Sequence, residues 1–324
     1  MASLKDIAAH SGVSIRTVAR VLKGDDCVRA TTRERVLLAA QEMGYTPNRA
    51  ARSLKTGSSF EIIALIGNTD ELELARLGAF QQQLSAHGYA VHVVFQTEWE
   101  APSETAKRIA SWAPLGLALF HSSRTKHEEV ALAAQARNIR CVLIDSGSEV
   151  AGAGHVRIGR SRGVYDGVNY LLEKGCRRIA YAGANCASRV SAYRRALSES
   201  GIAERIFLSG SSDQYEAGRE ALSALLQAPE IDAVQAYSDI MASGMLHEAH
   251  LRRVRIPEDL AIIGFDNRLL CVHCWPPLTT VAHPNEAVGE AAAELLLSAF
   301  SPEPKSDIKD EISLPTQLVV RASA

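Results

Sequence analysis

The stretch Leu4-Lys5-Asp6-Ile7-Ala8-Ala9-His10-Ser11-Gly12-Val13-Ser14-Ile15-Arg16-Thr17-Val18-Ala19-Arg20-Val21-Leu22 decides how the chain begins to fold. Leu4, Ile7 and Ala8 recur at helical spacing, and Ser3 with Asp6 makes a capping box ahead of them. Ser11-Gly12-Val13 interrupts the pattern, and Ser14 is placed to cap a second helix over 15–22 that buries Val18, Val21 and Leu22. Two short helices around a tight glycine turn form a helix-turn-helix. In that motif the N-terminal residues of the second helix enter the major groove, which makes Ile15, Arg16 and Arg20 the candidate base readers. Either arginine can hold guanine O6 and N7 with two hydrogen bonds, worth roughly 1–3 kcal/mol of discrimination, and Ile15 can meet a thymine methyl. Ser14, Thr17 and Lys23 suit phosphate oxygens.

Beyond this stretch, Thr31 opens a second capping box with Glu34. Val36, Leu37, Ala40 and Met43 then mark a third helix that ends at Gly44. Residues 45–57 are basic, flanked by Pro47 and Gly57, and too short to hold a helix without a partner. Residues 1–57 carry ten Lys or Arg against five acids, a formal +5. The whole chain is −2, so the remainder is −7. A basic head on an acidic body implies a polyanion-binding module joined to a part that binds something else.

With 324 residues, 47% of them hydrophobic, there is material for two or three cored domains. From residue 60 short apolar runs (62–66, 90–95, 115–120, 141–145, 179–183, 233–237 and 260–266) alternate with helix-length segments (72–87, 162–174, 191–200, 215–227 and 239–252). That alternation predicts roughly ten strands in parallel sheets with both faces covered, divided between two doubly wound lobes. Ligands of such sheets sit beyond the carboxyl ends of the strands, which singles out Asn68, His121, Asp145, Asn185, Ser238 with Asp239, and Asp266. No leader peptide and no apolar span of membrane length is read, so a cytoplasmic protein is expected. The six cysteines are spread too thinly for a disulfide framework and are read as reduced. Cys271-Val272-His273-Cys274 lacks a second ligand pair, so neither a metal nor any cofactor is expected. No P-loop, nucleophile elbow or H-E-x-x-H occurs. Asp145, Arg189 and Asp266 could form the acid–base set of a glycoside-processing enzyme, a reading that leaves the basic head without a purpose. A DNA-architectural protein with a ligand-free body is the other alternative.

The segments LKDIAAHSGVSIRTVARVLKG (4–24) and VRATTRERVLLAAQEMGYTPNRAARSLKTG (28–57) resemble the headpiece and hinge of the lactose-repressor (LacI/GalR) family. The resemblance implies an all-α headpiece (1–46), a hinge helix and linker (47–59), and a two-lobed effector-binding and dimerisation domain (60–324) of periplasmic-binding-protein type. It implies that Asn48, Ala51 and Leu54 of the hinge engage a double-stranded DNA operator, with Leu54 wedged into the minor groove at a flexible step. The body resembles the family's effector domain through LIDSGSE, GVYDGVNYLLEKGCRRIAYAG, SRVSAYRRALSESGI, YSDIMASGMLHEAHLRRVRIPEDLAIIGFDN and PPLTTVAHPNEAVGEAAAELLL. The resemblance further implies a repressor, homodimeric or a dimer of dimers, on a pseudo-palindromic site. Its effector, a sugar or sugar derivative, would be held by Asn68, Asp145, Arg189, Ser238, Asp239 and Asp266, with Arg189 and Asp266 as anchors. Ser238-Asp239 stands where the family commonly has Asn-Asp, His283 where others have a polar or charged residue, and the stacking aromatic is expected from Tyr215 or Trp275.

Overall fold

The computed structural model describes residues 2–22, 25, 27–45, 59–67, 69–96, 100–120, 127–227, 231–301 and 310–324. Lys23, Asn48, Ala51, Leu54, Asn68 and His121 lie outside the described residues. The chain divides into two compact units, the first ending at Ser59 and the second beginning at Phe60.

The first unit contains α1 (Leu4–Ser11), α2 (Ile15–Leu22) and α3 (Ala30–Glu42). The expected capping box is formed: Ser3 Oγ accepts from the Asp6 amide, and the Asp6 carboxylate accepts from the Ser3 amide at 2.8 Å. Gly12 takes φ 65°, a left-handed conformation that favours glycine, and turns the chain out of α1. Ser14 Oγ then accepts from the Thr17 amide at 3.1 Å and starts α2. The start of α3 differs from the expectation. The helix begins at Ala30, and the amides of Thr32 and Arg33 close its first turn on the Arg29 carbonyl, so no side chain caps it. Ile7, Val18, Val21, Val36 and Ala39 close the small core, while Leu37 stays on the surface.

The second unit opens with β1 (Glu61–Ile66), α4 (Glu71–Ala86), β2 (Ala90–Phe95), α5 (Pro102–Ser111), β3 (Gly116–Phe120), α6 (His127–Gln135), β4 (Arg140–Ile144) and β5 (Gly154–Gly159). The chain then crosses into α7 (Arg160–Glu173), β6 (Ile179–Gly183), α8 (Ala187–Glu199), β7 (Ile206–Leu208), α9 (Gln214–Leu225), β8 (Ala233–Ala236), α10 (Asp239–Leu251), β9 (Ala261–Ile263), α11 (Leu270–His273) and β10 (Thr280–Ala282). It returns with α12 (Asn285–Ala299) and β11 (Glu311–Pro315), and crosses once more to β12 (Gln317–Val319).

The first lobe is a parallel sheet in the order β2-β1-β3-β4-β5-β11, and the second a parallel sheet in the order β7-β6-β8-β9. Because both faces are covered by helices, the central strands are apolar along their whole length: Ile62, Ile63, Ala64, Leu65 and Ile66 are all buried. Three crossovers join the lobes, and the first and third touch where Thr316 Oγ1 donates to the Gly159 carbonyl at 3.2 Å. β10 pairs antiparallel with β12, with Val281 opposite Leu318. Phe80 of α4 meets Phe120 of β3 edge-on at 5.6 Å, anchoring α4 over the first sheet.

Candidate functional site

On α2, Ile15 and Arg16 are exposed and available at the helix start, as a reading element requires. Thr17 is half-buried and shares its hydroxyl with that of Ser14 at 2.9 Å, so this pair first serves to begin the helix. Arg20 is not free: its Nε donates to Asp25 Oδ2 at 2.7 Å, and the Asp25 carboxyl is held down to about 2 by that hydrogen bond. Of the two candidate arginines, Arg16 is therefore the one whose guanidinium has no partner among the described residues.

The second site lies at the carboxyl ends of the two sheets, where polar groups from both lobes and from the crossovers meet. Asp145 follows β4, Arg160 opens α7 at the first crossover, and His283 and Asn285 lie on the second. Arg76 of α4 links them. Its Nε donates to Asn285 Oδ1 at 2.9 Å, its Nη1 to Glu73 Oε1 at 3.0 Å and to Asp145 Oδ2 at 3.3 Å, and its Nη2 to His283 Nδ1 at 3.2 Å. Asp145 also takes a two-pronged contact from Arg160. The carboxylate expected to hold an effector hydroxyl is thus already bound by two guanidiniums of its own chain.

A guanidinium can only donate, so Arg76 fixes Nδ1 of His283 as the acceptor and leaves the imidazole proton on Nε2. Burial and the nearby Arg160 and Arg76 charges push His283 down to about 2, which keeps the ring neutral. Among the described residues its Nε2 has no hydrogen-bond partner, and it lies 3.7 Å from Asp266 Oδ1. Asp266 follows β9 with φ 117°. Burial, reinforced by Asp239, raises its carboxyl to about 7. Glu73 is likewise raised to about 7 by burial against the opposing pull of Arg76, and its Oε2 is buried without a partner.

Arg189 of α8 is 6% exposed and lies between two aromatic faces, its Cζ 4.4 Å from the Tyr237 ring centre and 4.1 Å from that of Phe265. Its Nη1 donates to the Tyr237 carbonyl at 2.7 Å. The aromatic walls are therefore Tyr237 and Phe265. Tyr215, expected for that role, is bonded to His247, and Trp275 is 87% exposed. Ser238 and Asp239, expected at the effector, are both engaged within the second lobe. Ser238 Oγ accepts from the Met241 amide to cap α10 and donates to Gln214, while Asp239 is fully buried with Thr280 Oγ1 on one oxygen and the Arg268 amide on the other at 2.7 Å. Both hold the floor of the second lobe in shape.

At the rim Arg268 reaches across the lobes, Nη2 to Asp70 Oδ2 at 2.9 Å and Nη1 to Glu71 Oε1 at 3.6 Å. Glu73, Arg76, Arg160 and Arg268 are site residues that sequence reasoning misses. For the first two a signal exists: Glu73 and Arg76 lie on the same helical face as Leu77, Phe80 and Leu84, so the buried stripe of α4 runs through them.

Residues 3–48 match the family model for bacterial regulatory proteins of the lacI family, and residues 168–324 match a periplasmic binding protein-like domain. The chain is 32% identical over 305 residues to the HTH-type transcriptional repressor CytR of Escherichia coli K12, covering 91% of this chain and 89% of that one. The chain belongs to the lacI family. Another relative of this lacI-family protein, the repressor PurR of Vibrio atlanticus, is 31% identical over 307 residues and is covered over 91% of its length. The fold is also that of a lac repressor dimer bound to operator and an anti-inducer, with TM-score 0.79 at 22% identity over 99% of this chain and 98% of that one. A transcriptional regulator CelR–cellobiose complex superposes with TM-score 0.68 at 26% identity over the full length of both chains. This lacI-family protein is accordingly a DNA-binding transcriptional repressor with an effector-binding domain. Among the described residues no helix is long and apolar enough to cross a membrane, and no cluster of three or more metal-ligating side chains occurs.

Proposed function

We propose that this protein is a sequence-specific repressor that binds a pseudo-palindromic operator as a homodimer. A sugar-derived effector bound between the lobes of the second unit would change its grip on DNA. It acts by binding, not by catalysis. The observation that carries the effector half is the meeting of Asp145, Arg189, Asp266 and His283, drawn from both lobes and a crossover, around polar atoms that lack partners. A ligand there touches each moving part, so its preference for one lobe arrangement translates into a change of DNA affinity. The relatives named as repressors and the solved relative with cellobiose bound support the same reading.

The dimer half rests on surface chemistry. Leu269, Val272 and Trp275 are 66%, 50% and 87% exposed, on and beside the short helix α11. A concentration of large apolar side chains of this kind marks a protein contact. Twofold protein symmetry then maps onto a twofold site, with one headpiece per half-site.

Selection of bound duplexes from a randomised pool, followed by sequencing, tests the reading. A palindrome with a pyrimidine–purine centre is expected, and its recovery should depend on protein concentration as a dimer requires. Enrichment of a single unrepeated half-site overturns the dimer, and enrichment of no motif, with or without pooled metabolites, overturns sequence-specific repression.

A further inference from the structure

Four guanidiniums stand in or over the effector cleft, and among the described residues three have carboxylate partners. Arg76 meets Glu73 and Asp145, Arg160 meets Asp145, and Arg268 meets Asp70, Glu71 and, at 3.6 Å, Asp266. Arg189 is buried with a carbonyl oxygen on Nη1, two ring faces around it and no carboxylate within ion-pair distance. Its Nε is buried without a hydrogen-bond partner. Buried charges in folded proteins are as a rule paired, and a carbonyl oxygen and two ring faces compensate a guanidinium only in part for its lost hydration.

Two further donors share the defect. Nε of Arg268 and Nε2 of His283 are also buried without hydrogen-bond partners, and the imidazole proton sits on that Nε2. The three groups come from the loop after β9, the second crossover and α8, and each faces the neighbourhood of Asp266. Among the described residues the cleft thus leaves three buried donors without hydrogen-bond partners, and one guanidinium, that of Arg189, without a carboxylate at ion-pair distance.

Resting on the reading of this cleft as the effector site, we propose that the effector is an anion: a sugar acid or sugar phosphate whose oxyanion takes Arg189, with His283 Nε2–H and Arg268 Nε–H as supporting donors. Planar guanidinium donors suit carboxylate and phosphate oxygens alike. The hydroxyls of the same ligand donate to Asp266 and to the free Oε2 of Glu73. Phe265 and Tyr237 hold Arg189 in place, so the oxyanion meets a guanidinium already oriented for it.

The test is thermal unfolding of the full-length protein at fixed ionic strength with three matched panels. These are sugar acids including gluconate and galacturonate, sugar phosphates including glucose 6-phosphate and ribose 5-phosphate, and the parent neutral sugars. At about a hundredfold excess over Kd an anionic member should raise Tm by about 4 °C or more, and its neutral parent by less than about 1 °C. The panel that responds distinguishes carboxylate from phosphate. Arg189→Gln should weaken that ligand at least tenfold, while Arg194→Gln, which removes the same charge from an exposed position on α8, should not. If Arg189→Gln folds poorly, His283→Gln carries the same expectation of weakened binding. A neutral sugar that stabilises as well as its acid or phosphate overturns the anion and leaves the effector cleft standing. Equal loss in Arg194→Gln reduces the effect to non-specific charge and overturns the proposal. Silence from all three panels overturns both the anion and the effector reading.

Discussion

Glu73 and Asp266 share a consequence of burial that can be read as a pH dependence. Each carboxyl is raised to about 7 in the folded state, from ordinary values of 4.5 and 3.8. The folded protein therefore holds these protons more tightly than the unfolded chain. Their contribution is fully present below the ordinary values and is lost as pH rises through about 7. His283 runs the other way: held near 2 against an ordinary 6.5, it favours the folded state above 6.5 and opposes it as pH falls. The slopes partly cancel between about 4.5 and 6.5, so a single-site difference is the clean measurement. Glu73→Gln should gain on the wild type as pH rises, its Tm advantage at pH 8 exceeding that at pH 5 by about 3 °C or more. A gap that stays constant across that range would show that Glu73 does not titrate near neutrality. In the headpiece, Arg16→Ala should relax preference at one base pair of each half-site by roughly 1–3 kcal/mol and leave the other positions unchanged, as read from the same duplex selection. Arg20→Ala should act instead through the headpiece fold, since its guanidinium is engaged by Asp25. A sequence lists which residues can read bases or hold a ligand. It does not show which of them a neighbour has already claimed, and that is why Arg20, Asp145, Ser238 and Asp239 turn out otherwise engaged.

Among the elements, close approach between helices rests on absent side chains. A Cβ on Gly244 of α10 would lie 2.0 Å from the Tyr215 carbonyl oxygen, and one on Gly218 of α9 would lie 2.0 Å from that of Met241. The two glycines face each other's helices, so backbone meets backbone with no flexible side chain to yield. Gly244→Ala should destabilise the protein by about 1–3 kcal/mol, seen as a lower urea midpoint with unchanged slope. An unchanged midpoint would mean that the helices separate at little cost. Elements of this kind are largely legible in the sequence. The runs 90–95 and 179–183 are strands to the residue, and the segments read at 72–87 and 239–252 are helices within a residue at each end. The strands that escape such a reading are β5, β7, β10, β11 and β12. β7, β10 and β12 are three residues long, and β11 is an edge strand with exposed alternate positions, so none carries the apolar run that marks the others. β5 reads Gly-His-Val-Arg-Ile-Gly, with glycine at both ends, and its burial comes from α12, a helix more than a hundred residues later.

For the whole second unit, the contacts that decide function are those between lobes, and they depend on residues far apart in the chain. Arg268 is the clearest case, since its side chain ties the loop after β9 to the N-terminus of α4, while its own amide is fixed to Asp239. Asp70 meanwhile caps α4 through the Glu73 amide at 3.0 Å, independently of Arg268. Removing the guanidinium should therefore leave both local structures in place while cutting its ties to Asp70 and Glu71 across the cleft mouth and its contact with Asp266, with the Leu269 amide still on Glu71. Arg268→Met keeps the hydrocarbon packing and isolates the charge. In this variant amide exchange in 71–74 and 267–271 should quicken about tenfold, as expected for loss of a partly exposed ion-pair network, while exchange in the β3 and β8 cores stays as it was. Effector affinity should fall as well, through the lost Arg268 donor and because a ligand that needs the closed arrangement binds less tightly when that arrangement is less populated. Faster exchange throughout the second lobe would instead mean that Arg268 supports the lobe itself and that the tie to Asp70 is incidental to closure.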